Sequence, residues 1–226
     1  MLVRAFVVVV LAGVLAIAAP ALAASVTFTF DNTSPLLTGP YPVAASGNTW
    51  LTAVFTDNVA NTVDLVVTGN FKTYSGKNQG VDHIVFNVDP DSLLSLTTSD
   101  KTHIDSVSQS ADGEGVPPDK GFDIDIKFGE GSSNLQGTQV AKITFSGTGL
   151  TANAFNAPSE PPKAGDPKYY TVVHVQDTPL PGGGFSSSKL ANANPIPVPA
   201  SATIGAALLA CVVMCRVVRR RAAYAE

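Results

Sequence analysis

The chain has almost no cysteine. Of its 226 residues only Cys211 and Cys215 are cysteines, and both lie in an apolar run near the C-terminus. The long stretch before them therefore has no disulfide, no thiol chemistry and no thiolate metal ligand, and its core alone must hold it. Arginine is nearly as scarce. Arg4 stands at one end, Arg216, Arg219, Arg220 and Arg221 at the other, and none lies between. From Ala24 to Pro199 nine lysines face seventeen acidic residues, a balance of −8 against −4 for the whole chain. A surface that grips phosphates needs clustered lysine and arginine, so nucleic acid is not an expected partner. Acidity with abundant Ser, Thr, Asn and Gly fits a soluble extracellular protein. Histidine is limited to His83, His103 and His174, with no His-x-x-x-His pair, which argues against a zinc centre. His174 alternates with Tyr170 and Val172, so it is expected to pack or to hydrogen-bond. There is no Gly-x-Ser-x-Gly elbow and no phosphate-cradling glycine loop.

What the chain does have is an apolar run at each end. Met1 to Ala23 reads as a secretory signal peptide, with Arg4 as the positive n-region, Phe6 to Ala18 as the h-region and Ala21-Leu22-Ala23 as the small-x-small site for signal peptidase. Cleavage is expected after Ala23, with Ala24 as the alternative. No cysteine follows the site, which argues against a lipoprotein. At the other end, Ala200 to Val218 is broken only by Ser201, Thr203 and Arg216. As a helix it would cover roughly 25–28 Å, close to the hydrocarbon thickness of a bilayer. Arg216 can snorkel to the headgroups, and Arg219, Arg220 and Arg221 hold the end on the cytoplasmic side. A single transmembrane helix over 200–218 with a basic cytoplasmic tail over 219–226 is the expected arrangement.

A proline run (Pro195, Pro197, Val198, Pro199, Ala200), an apolar helix and an arginine cluster together resemble the PEP-CTERM class of sorting signals. Pro-Glu-Pro is absent, and Val198-Pro199-Ala200 is closer to the Val-Pro-Leu-Pro-Ala variant. The resemblance implies a bacterial protein, processed by an exosortase-type enzyme, whose helix is a temporary anchor. Without processing it is a permanent one. The exported protein then faces the periplasm or exterior, or is released to the cell surface.

Between the ends, period-two alternation dominates, with turn residues between the runs. Val26, Phe28 and Phe30 begin it. Leu51, Ala53 and Phe55 pair with Val63, Leu65 and Val67 as a hairpin around Asp57 to Asn61. Ile84, Phe86 and Val88 follow, with His83, Asn87 and Asp89 outward. Phe122, Ile124, Ile126 and Phe128 alternate with Asp123, Asp125 and Lys127; Ala141, Ile143 and Phe145 form another face, and Tyr169 to Val175 the last. Only Leu150 to Phe155 suggests a helical turn. Eight to ten short strands predict an all-β, antiparallel β-sandwich, of jelly-roll or Ig/cohesin-like type, over 24–180. Residues 181–199, with Gly182-Gly183-Gly184, Ser186 to Ser188 and the prolines, read as a linker. Trp50 to Asp57, Val85 to Pro90, Ala111 to Gly115, Gly147 to Thr151 and His174 to Gln176 are similar, in order, to a group of PEP-CTERM exported proteins of unknown function. That similarity implies the exported sandwich and brings no activity.

Three features could carry binding or chemistry. Asp112-Gly113-Glu114-Gly115 with Asp119 could supply oxygens to calcium, which takes about six to eight of them. An acidic glycine-rich turn explains the same residues without metal, and no cofactor is otherwise expected. Asp123 and Asp125 point the same way from one strand, as a glycosidase pair could, although paired acids on a solvated face commonly serve solubility. Trp50, Tyr41, Tyr74, Tyr169 and Tyr170 could stack on an extracellular polysaccharide, but fit core or loop anchors as well. The expected function is therefore structural or adhesive, in the envelope or extracellular matrix, without catalysis. A carbohydrate- or calcium-binding module is the alternative, and an extracellular hydrolase the third reading.

Overall fold

A computed structural model describes residues 23–74, 76–90, 95–114, 121–129, 134–160, 168–192 and 196–198. Its strands, in chain order, are β1 (Ser25–Asp31), β2 (Leu36–Thr38), β3 (Thr49–Asp57), β4 (Thr62–Gly69), β5 (Thr73–Tyr74), β6 (Lys77–Asn78), β7 (Gly80–Phe86) and β8 (Thr97–Thr102). β9 (Ser106–Glu114), β10 (Phe122–Lys127), β11 (Leu135–Gln136), β12 (Val140–Ser146), β13 (Thr171–Pro179), β14 (Phe185–Asn192) and β15 (Ile196–Val198) complete them. Among the described residues there is one helical turn, a 3₁₀ turn at Ala152–Phe155, inside the stretch where the sequence suggested one.

Among the described residues all ladders are antiparallel. One sheet has the order β15-β1-β3-β4-β12-β8 and the second β2-β14-β13-β7-β10-β9, with β11 beside β7. The alternating residues of both sheets meet in one apolar cluster. Val26, Phe28, Phe30, Leu51, Ala53, Phe55, Val63, Leu65, Ile143 and Phe145 come from the first sheet. Ile84, Phe86, Ile124, Ile126, Val173, Val175 and Leu190 come from the second. This is a β-sandwich-like arrangement, and it follows from the pleat: one set of alternate side chains faces the other sheet and the rest face away. Phe55 is the hub. Its ring stacks on Phe155 at 4.0 Å and meets Phe86 of the opposite sheet edge-on at 4.9 Å and Phe28 at 6.1 Å.

The expected hairpin is present as β3 and β4, and the proline-rich stretch after β1 contributes β2 as an edge strand of the second sheet. The expected linker is not one. Residues 185–192 form β14, paired along its length with β13 and on its other side with β2. Ser188, Leu190 and Ala191 are fully buried, and the Ser188 hydroxyl donates to the Pro40 carbonyl. Gly39, at a φ of +79°, passes so close to Ser187 that a Cβ there would collide with its backbone. The serines behave as strand residues because β13 supplies ladder partners that flexible linkers lack, while Gly39 and Pro40 pass close on the other side. Pro197 and Val198, expected in the same linker, belong to β15, which pairs with the start of β1: Ser25 opposite Val198, Val26 opposite Pro197, Thr27 opposite Ile196. Prolines are tolerated there because β15 is an edge strand. The compact unit accordingly spans Ala24–Pro199.

Several sequence features lie outside the described residues: the signal peptide apart from Ala23, including Ala21; Pro195, Pro199 and Ala200; the 200–218 helix; Arg216, Arg219, Arg220 and Arg221; and Asp119. Among the described residues no helix is long and apolar enough to cross a membrane.

Candidate functional site

The polar side chains that the fold gathers most closely lie on the second sheet, on the side turned away from the core. Cross-strand partners form the row Lys127, His83, His174 and Lys189 over β10, β7, β13 and β14. Beside it the register of β7 and β13 slips. His174 faces His83, but Val175 faces Val81, which leaves Asp82 as the extra residue of a bulge. Strict alternation would send Asp82 inward with Ile84. The bulge turns it outward, under His174.

Two histidine–carboxylate couples result. His83 Nδ1 lies 3.1 Å from Asp125 Oδ1 and 3.2 Å from Oδ2. His174 Nδ1 lies 2.8 Å from Asp82 Oδ1 and 2.9 Å from Oδ2, the latter being the better-aligned hydrogen bond. Gln176 Nε2 donates to the same Oδ2 at 2.7 Å. His83 Nε2 is 3.9 Å from Asp82, so the couples are joined electrostatically, and the two rings are 6.3 Å apart. Both carboxylates are buried while both imidazoles are partly exposed. A buried carboxylate needs compensation, and an Nδ1–H aimed at it supplies both a hydrogen bond and, when the ring is protonated, a countercharge.

The hydrogen bond to Asp125 raises the His83 pKa above its ordinary 6.5; burial opposes this, the charges of Asp125 and Asp82 reinforce it, and Lys127 works against it. A histidine whose folded pKa is raised stabilises the fold fully below its unfolded value, and that contribution is lost as pH rises through the folded value. Thermal unfolding of the wild type against His83→Gln is therefore expected to show the largest difference below pH 6.5, shrinking as pH rises above it. A difference independent of pH would rule out the protonated pair as its source.

The third buried carboxylate is Asp123. It accepts the backbone N–H groups of Val88 and Asp112, both at 3.0 Å. Its own N–H donates to Asn87 Oδ1 at 3.2 Å, and Asn87 Nδ2 donates to the Pro158 carbonyl at 2.8 Å. Asp125 lies opposite Val85, but neither it nor Asp123 is solvated, and Phe122 leaves the alternation to pack apart from Ile124 and Ile126. Val85, Phe122, Val172 and Ala191 form a second, smaller apolar cluster, with Leu37 and Tyr169 packed against it. Both acids are buried and engaged with backbone or imidazole donors.

The acidic segment expected as a turn is instead the end of β9. Asp112 is exposed, with a φ of +49°, and the backbone of Glu114 pairs with Phe122. Among the described residues no group of three or more His, Cys, Asp or Glu is placed to hold a metal ion. Trp50 is buried in the core, 5.6 Å from the Phe30 ring and 5.8 Å from that of Phe71, and so serves as a core anchor. Tyr41 and Tyr74 are exposed, and Tyr169 and Tyr170 are half-buried. His174 hydrogen-bonds as its alternation suggested. Asp82 escaped the sequence reading, although an acid in the inward phase of an apolar strand is itself the mark of a bulge. In comparisons with known proteins, no family model, no curated protein and no solved structure matches the chain.

Proposed function

We propose that this chain is an exported protein, held at or sorted through its C-terminus, whose β-sandwich domain has a structural or adhesive role in the envelope or extracellular matrix. The observation that carries this reading is the pairing of β15 with β1. Ser25 follows the expected signal cleavage site almost at once, and Val198 precedes the apolar tail almost at once. Cross-strand partners lie about 5 Å apart, so both ends of the domain leave from one pole. A domain attached at one pole presents its remaining surface outward, which suits a tethered or surface-sorted module. Engagement of the buried carboxylates with histidine and backbone donors favours a structural role over hydrolysis. The repeated switching of the chain between sheets suits a jelly-roll or cohesin-like member of the sandwich class.

Intact mass of the protein from each cell fraction tests the reading. A product starting at Ala24 and ending near Pro199, found outside the membrane, is expected for a processed sorting signal; a membrane-bound product that starts at Ala24 and keeps its tail is expected for a permanent anchor. Deleting 200–221 should release the domain from the membrane in either case. Retention of that truncated chain would count against the tether.

A further inference from the structure

Ala24 is gripped from both sides by a single residue. Its backbone N–H donates to Asp57 Oδ2 at 3.1 Å, and its carbonyl accepts the Asp57 N–H at 3.0 Å. The other carboxylate oxygen, Oδ1, accepts the N–H of Ala152 at 2.6 Å, at the start of the 3₁₀ turn that carries Phe155 into the core. Asp57 thus ties the first residue of the compact unit to the end of β3 and to a buried turn. A backbone amide is a modest partner for a carboxylate. An ammonium group at the same nitrogen is a far better one, since it brings three donors and a full charge.

We propose that Asp57 is the receptor for the α-ammonium group that signal cleavage creates at Ala24, so that export processing itself completes this pole of the domain. The inference rests on the export reading above. Hydrolysis of the Ala23–Ala24 bond adds one water. The Ala23 carbonyl becomes a carboxylate and departs with the signal peptide, while the Ala24 nitrogen keeps its hydrogen, gains the second from water and is protonated at neutral pH. The new charge appears at a position already 3.1 Å from Oδ2 and needs no rearrangement to be met. Ala23 is exposed, as a scissile residue has to be. The nearest other acid on the neighbouring strand, Asp64, is engaged elsewhere, taking Asn58 Nδ2 at 2.9 Å and the Thr144 hydroxyl at 2.6 Å. The ammonium therefore has one dedicated carboxylate, and that carboxylate also holds the core turn.

The test uses the full-length gene, expressed with its signal and purified after export. Intact mass first establishes the N-terminal residue. Trace acetylation with acetic anhydride across pH, read by mass spectrometry of the N-terminal peptide, then gives the titration of the Ala24 amine. In the wild type the amine is expected to titrate about one unit above the ordinary 7.7–8.0 or so, a tenfold gain in proton affinity. In Asp57→Asn, which retains an oxygen for the Ala152 N–H, it should return to the ordinary value. Titration of the wild-type amine at the ordinary value overturns the proposal by itself, whether or not the variant folds. So does an Asp57→Asn protein whose amine is unchanged. A mature chain starting at Ser25 overturns it while leaving export intact. A chain still starting at Met1 overturns it together with the export reading.

Discussion

Phe55→Ala is expected to destabilise the domain by about 4 kcal/mol, the middle of the range for a buried aromatic truncated to alanine. The reason is its position between the layers. The ring stacks face-to-face on Phe155 at 4.0 Å and meets Phe86 of the opposite sheet edge-on at 4.9 Å, with Phe28 and Phe145 beside it. Its removal leaves a hole bounded by both sheets and by the 3₁₀ turn, and paired strands cannot move together to fill it. For a domain of this size each kcal/mol shifts the melting temperature by about 2–4 °C, so a fall of roughly 8–16 °C is expected by circular dichroism. Val59→Ala, at an exposed turn position, is the control and should stay within about 0.5 kcal/mol of the wild type. A Phe55→Ala melt no lower than that control would mean that the core is not organised around this ring.

Ending the chain after Leu180 is expected to abolish folding, whereas ending it after Pro199 should leave a cooperatively folded domain. The shorter chain loses β14 together with the short edge strand β15, and β14 carries most of the difference. This strand lies between β13 and β2, buries Leu190 and Ala191, and crosses to the first sheet through Asn192 Nδ2, which donates to the Thr29 carbonyl at 2.8 Å. Without it β13 loses a whole ladder, Val173 and Val175 lose cover at the sheet's new edge, and both β2 and the Pro35 carbonyl lose their partners. That loss is large against the roughly 5–15 kcal/mol by which domains are stable. A chain stopped at Leu180 that still melted cooperatively near the temperature of the longer one would show that 181–199 is a dispensable linker after all.

The strands of the two central hairpin partners were legible in the residues. Leu51, Ala53 and Phe55, then Val63, Leu65 and Val67, alternate without interruption, and one face of each has a single place to go. β14 was not legible for a physical reason. Ser186, Ser187, Ser188 and Lys189 have the composition of a flexible connector, and their strand conformation is imposed by β13 and β2 rather than by their own preference. The histidine–carboxylate couples were half legible. His83 and Asp125 fell on the outward face by alternation and His174 was expected to pack or hydrogen-bond, but Asp125 is 42 residues from His83 and Asp82 is 92 from His174, and no local pattern encodes such pairings. Nor does alternation reveal that the outward face is itself covered near Asp123 and Asp125, which is why two acids read as solvated are buried.

The edge pairing of β15 has a mechanical consequence. If the tail holds the domain while something pulls on its far surface, the load enters at Val198 and acts across the short β15–β1 ladder. That load runs along the strand, so the few hydrogen bonds of this three-residue ladder share it, and their small number makes the ladder weak. β15 should give way first and free Ile196 to Val198, adding about 10 Å of slack at roughly 3.4 Å per residue. The load then reaches β14, which is locked on both edges. The proline strand would act as a soft first link that absorbs a small extension before the core bears any strain.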